Sequence, residues 1–93
     1  MNKKPDDNNV KKTQFIEEIR KKIPTYELMN GIQKSKFQVI LSGYYDLGAN
    51  ISRLTKKLGY KSRESIFSYL KSIEIEPKQL KEAYEKIIFS QED

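Results

Sequence analysis

A chain of 93 residues with 37% hydrophobic content has room for one domain, near the lower end of what folds unaided, and it contains neither cysteine nor histidine. That rules out a disulfide framework, a thiolate metal site, the thiol nucleophile and the commonest general base, and leaves oligomerisation as the route to more buried area. The formal charge of +5 is unevenly spread: residues 1–34 carry eight Lys or Arg against five Asp or Glu, residues 35–75 seven against three, and residues 76–93 three against five.

The positive excess therefore sits on the amino-terminal region and the middle of the chain, ahead of an acidic tail, an arrangement that favours a polyanion over one face. A lysine-rich solvated surface accounts for the same totals, so placement decides between the two. No apolar run approaches the roughly 18 residues needed to cross a bilayer, and the amino-terminal stretch has no signal-peptide core. A soluble, cytoplasmic protein is expected.

Residues 1–9, MNKKPDDNN, are polar throughout and offer no apolar face, so they are expected to form a disordered, solvated arm ahead of a single helical domain over 10–93. From Val10 to Ile23, Phe15, Ile16, Ile19 and Ile23 fall on one stripe and predict an amphipathic helix that Pro24 stops. Glu17 and Glu18 precede Lys21 and Lys22 at ion-pairing distance along it. Thr25–Asn30 reads as a further short turn with Tyr26, Leu28 and Met29 inward, broken by Asn30-Gly31. Ser35 is expected to cap the next helix.

That helix runs from about Lys36 to Leu47, with Phe37, Ile40, Leu41 and Tyr44 on one face. Gly48 supplies a left-handed terminator and Asn50 a cap for Ile51–Leu58, which turns Ile51, Leu54 and Leu58 inward and Arg53, Lys56 and Lys57 outward. Gly59 closes it, Tyr60 and Lys61 make a turn, and Ser62 caps a third helix with Ile66, Leu70 and Ile73 inward. A short helix, a glycine-bearing turn and a second helix with one polar face are the pattern of a helix-turn-helix DNA reader, here over residues 50–73. After it, Pro77 opens a last helix over 77–89, where Leu80, Ala83, Tyr84, Ile87 and Ile88 keep helical spacing. With no strand-like alternation anywhere, the expected fold is all-α, a small domain of five to six helices.

At GANISRLTKKLGYKSRESIFSYLKSIEI the chain resembles the carboxy-terminal DNA-binding region of the Fis family, which includes the DNA-binding ends of enhancer-binding activators. The features that carry the resemblance fall on Gly48, Asn50, Ile51, Leu58, Gly59, Ser65, Ile66, Leu70 and Lys71. The turn after Gly59 is one residue longer than is usual in that family. Phe67, Ser68 and Tyr69 stand where the family often carries Arg or Lys. The resemblance implies a Fis-type helix-turn-helix and a homodimer that sets two recognition helices into successive major grooves, about 34 Å apart, and bends the duplex. The contact between protomers would come from the helix over 10–23, the preferred one, or from that over 77–89.

The candidate DNA-contacting residues follow from the outer arc of the third helix. Residues at the start of a recognition helix meet base edges, so Arg63 is placed to read a guanine through its guanidinium fork. Ser62, Ser65, Ser68 and Tyr69 share that arc, and Lys61 and Lys71 flank it toward phosphate. Arg53, Lys56 and Lys57 extend the cationic surface onto the preceding helix. Arg63 has a competing role in an ion pair with Glu64 or Asp46. Tyr44 and Tyr45 read as core and rim, and Phe67 as packing beneath the amino-terminal or last helix.

No acid–base or nucleophile constellation and no phosphate-cradling glycine loop is visible, so neither catalysis, nor a metal, nor a cofactor is expected. Two functions remain. One is a double-stranded DNA-binding transcriptional or nucleoid-associated regulator; the other is a helix-turn-helix scaffold that binds a protein partner, as a phage- or plasmid-type inhibitor or an adaptor would.

Overall fold

The computed structural model describes residues 7–89 of the chain. They form five α-helices and one short 3-10 helix: α1 (Asp7–Lys21), the 3-10 turn (Tyr26–Leu28), α2 (Gly31–Asp46), α3 (Ile51–Lys57), α4 (Arg63–Ser72) and α5 (Pro77–Phe89). The fold is all-α, as the spacing of apolar residues predicts. One hydrophobic core runs through every helix, with Phe15, Ile19, Phe37, Ile40, Leu41, Leu54, Ile66, Leu70 and Leu80 buried at its centre.

Of the expected arm over 1–9, residues 1–6 lie outside the described residues, and residues 7–9 belong to α1. Helix α1 packs on α5 and on α2. Its stripe of Phe15, Ile16, Ile19 and Ile23 is buried within the chain, so that face is not left over for a second protomer. Phe15 sits among Tyr44, Tyr45 and Tyr84, with ring centroids between 5.8 and 6.3 Å away. This aromatic cluster joins α1, α2 and α5, and edge and offset contacts of this kind add to plain burial.

Helix α2 starts one turn earlier than expected. Asn30, not Ser35, is its cap: the Asn30 side chain accepts the Gln33 backbone N–H at 2.8 Å, and the Gln33 side chain accepts that of Asn30 at 2.9 Å. Two otherwise unpartnered donors are satisfied reciprocally, which outweighs the break that Asn30-Gly31 suggests. The preceding 3-10 turn presses Tyr26 and Met29 against the core but leaves Leu28 82% exposed, contrary to the expected inward trio. A turn this short covers one side only.

Helices α2, α3 and α4 end in the same way. In each, a residue with positive φ follows the last turn: Gly48 at 74°, Gly59 at 79° and Glu74 at 62°. The next backbone N–H then reaches five residues back, from Ala49 to the Tyr44 carbonyl at 2.9 Å, from Tyr60 to Thr55 at 3.0 Å and from Ile75 to Leu70 at 2.9 Å. This Schellman closure turns the chain sharply and satisfies carbonyls that the helix leaves open. Two repetitions of it, with α3 between them, are what present α4 beside α3.

The approach of α3 to α2 rests on Gly43. A β-carbon at that position would stand 2.7 Å from Leu54 Cδ1, so the missing side chain is what lets Leu54 seat fully in the core. At the far end, Pro77 is the first residue of α5, and the Glu76 N–H donates to the Gln79 side chain at 2.8 Å.

Candidate nucleic-acid interface

Helices α3 and α4 present one continuous polar surface. Asn50 caps α3, accepting the Arg53 N–H at 2.9 Å, and Ser62 caps α4, accepting the Glu64 N–H at 3.3 Å. Inward, Leu54, Ile66, Leu70 and Ile73 are buried. Outward, Arg53, Lys56, Lys57, Lys61, Ser62, Arg63, Ser65, Ser68 and Lys71 are all exposed, so nine of the ten residues picked from sequence lie on the surface together. Opposite the buried line of α4 runs Glu64, Ser68 and Lys71, at positions i, i+4 and i+7 of one helical face.

Tyr69 is the exception. It is only partly exposed and packs against the core, its ring lies 5.1 Å from the Lys36 ammonium of α2, and its hydroxyl is buried with no hydrogen-bond partner among the described residues. Burial, and then the nearby Tyr60, push that hydroxyl up to about 12. Tyr69 sits beside the outer arc rather than at its centre, three residues after the buried Ile66 and four before the buried Ile73, with the Lys36 ammonium over its ring. The spacing Ile66, Tyr69, Leu70, Ile73 is the local signal for this, whereas the Lys36 contact comes from another helix. Lys36 itself is the residue missed by sequence reasoning at this edge of the surface.

Phe67 does not lie beneath α1. It is 37% exposed and, with Lys71, Ile75 and Pro77, lines an open groove of about 440 Å³ at the α4–α5 corner. Tyr44 and Tyr45 are core residues, 2% and 4% exposed. Burial, with Glu85 and Tyr84 nearby, pushes the Tyr44 hydroxyl up to about 12.

Charge is segregated. Residues 51–72 carry six Lys or Arg against one Glu, a net of +5 that equals the charge of the whole chain and leaves twelve of each sign elsewhere. None of those six cations forms an ion pair among the described residues. The ion pairs join residues of α1, α2 and α5 and Lys22: Lys12 with Asp46 at 3.0 Å, Glu18 with Lys86 at 3.4 Å and with Lys22 at 3.8 Å, and Glu17 with Arg20. Arg63 therefore meets neither Glu64 nor Asp46, and Asp46 is held by α1. No group of three or more acidic residues that could hold a metal ion is present among the described residues, and none of their helices is long and apolar enough to cross a membrane.

Compared with protein-family models, curated proteins and solved structures, the chain gives no match.

Proposed function

We propose that this protein binds double-stranded DNA through α3 and α4 and acts as a transcriptional or nucleoid-associated regulator, with α4 in the major groove. The observation that carries the reading is the cationic surface: six Lys and Arg side chains on residues 51–72, none of them in an ion pair among the described residues, around a helix whose outer line is polar. Phosphate contacts supply most of the non-specific affinity for duplex DNA, and side chains of this kind are what make them. Arg63 at the start of α4 reads a guanine; Arg53, Lys56, Lys57, Lys61 and Lys71 hold phosphate; Ser62, Ser65 and Ser68 donate to either. The resemblance of residues 48–75 to the Fis family supports the same reading and adds a homodimer. Each of the two helices expected to join protomers keeps an apolar residue in the open, Val10 of α1 at 46% and Phe89 of α5 at 71% exposure.

The test is a salt titration of duplex binding. Affinity should fall steeply and linearly in log–log form, Lys57→Ala should reduce the slope by about one, and Arg63→Ala should weaken a selected site by roughly 1–3 kcal/mol. Light scattering of the protein alone and with duplex measures the stoichiometry. Affinity that ignores salt, or an Arg63→Ala variant indistinguishable from wild type on every duplex, would sink the proposal.

A second reading, a scaffold that binds a protein through this same face, is favoured by one observation: the exposed Phe67 beside Ile75 and Pro77 gives the surface an apolar edge. Binding of that kind would depend on Phe67 and only weakly on salt.

A further inference from the structure

The outward line of α4 begins with a carboxylate. Glu64 is exposed in the first turn, its backbone fixed by the bond from its N–H to Ser62 Oγ, and it forms no ion pair among the described residues although Lys61 and Arg63 are close in sequence. It is the single acidic residue among the six cations of residues 51–72. Helical Cβ bonds lean toward the N-terminus, so this carboxylate projects toward the end of α4 that meets base edges in helix-turn-helix docking.

Against phosphate, a carboxylate in that position is repelled. Against base edges, its fate depends on the base. Guanine offers only acceptors in the major groove, and thymine an acceptor and a methyl group. The adenine amino donor is flanked on both sides by acceptors, its own N7 and O4 of the paired thymine. The cytosine N4 donor has an acceptor, guanine O6, on one side only. Cytosine is thus the base edge that a carboxylate meets at least cost.

We infer that Glu64 is a specificity determinant, selecting cytosine at one position of the duplex site by accepting a hydrogen bond from its N4 amino group; this rests on the DNA reading above. Glu64 also complements the partial positive charge at the start of α4, a structural role that alone would leave base preference untouched.

Selection from a randomised duplex library, with wild type, Glu64→Gln and Glu64→Ala run in parallel and checked for folding by circular dichroism, tests this. Wild type should prefer cytosine at one position by roughly 5- to 150-fold. Glu64→Gln should move that position toward adenine, whose N6 and N7 a glutamine amide pairs with in bidentate fashion. Glu64→Ala should lose the preference there while holding mixed-sequence duplex more tightly, because a repelling charge is gone. If all three proteins select the same sites, Glu64 reads nothing and the inference is wrong. If wild type binds no duplex even at low salt, the DNA reading itself has failed and the inference goes with it.

Discussion

Glu74 occupies the place that glycine holds at the other two Schellman corners, with φ at 62°. A side chain in the left-handed region costs about 1–2 kcal/mol, against roughly 0.4–1 kcal/mol of unfolded-chain entropy that a glycine adds back. An acidic group at a helix C-terminus also faces the negative end of the dipole. Glu74→Gly should therefore stabilise the protein by about 0.5–1 kcal/mol, and Gly59→Ala, the reverse exchange at an equivalent corner, should destabilise it by a similar amount, about 0.5–1 kcal/mol. Urea denaturation of the two variants beside wild type checks both signs. Residue by residue, glycine and proline were the legible signals: Gly48, Gly59 and Pro77 each do what their chemistry predicts. The corner at Glu74 was not legible, because nothing in a glutamate predicts positive φ. It follows from Ile75, whose burial at 2% draws the chain back over α4.

Between elements, the contact between α2 and α3 is the one that sets the polar surface in place, and it narrows to Gly43 and Leu54. Leu54→Ala should cost about 2–5 kcal/mol, as a fully buried leucine does. Gly43→Ala should fail to deliver the roughly 1 kcal/mol that alanine normally gains over glycine in a helix, since its methyl group displaces Leu54. In the Leu54→Ala background that gain should reappear. A double-mutant cycle by chemical denaturation would show a coupling of about 1 kcal/mol or more; simple additivity would mean that the two helices do not meet there. The helices themselves were readable from their apolar spacing, and so was the burial of Ile66, Leu70 and Ile73 on α4. The start of α2 was not, although Asn30-x-x-Gln33 is a capping-box pattern, because Asn-Gly also reads as a turn. Tyr69 was readable too, since it stands three residues after Ile66 and four before Ile73, beside the inward line of α4; only its contact with Lys36 of another helix was not.

For the molecule as a whole, the tyrosines set the alkaline limit of stability. The Tyr44 and Tyr69 hydroxyls are raised from 10.0 to about 12 in the fold, chiefly by burial. A raised native value means that the unfolded chain gives up these protons first. Their contribution is complete below about pH 10 and is lost as pH climbs toward about 12. Urea midpoints measured across that window should fall, and Tyr69→Phe should flatten the decline. Because the Tyr69 hydroxyl is buried, the same variant should leave duplex affinity unchanged.

The segregation of charge acts before any contact is made. A chain that balances its charges outside residues 51–72 and holds its whole excess of +5 within them carries a permanent electrical asymmetry. In the field of a rod-like polyanion such a body would experience a torque as well as a pull, and on the proposed reading would arrive with α3 and α4 foremost. Orientation of this kind is a matter of encounter rate and fades once the screening length, about 8 Å at physiological ionic strength, is shorter than the approach.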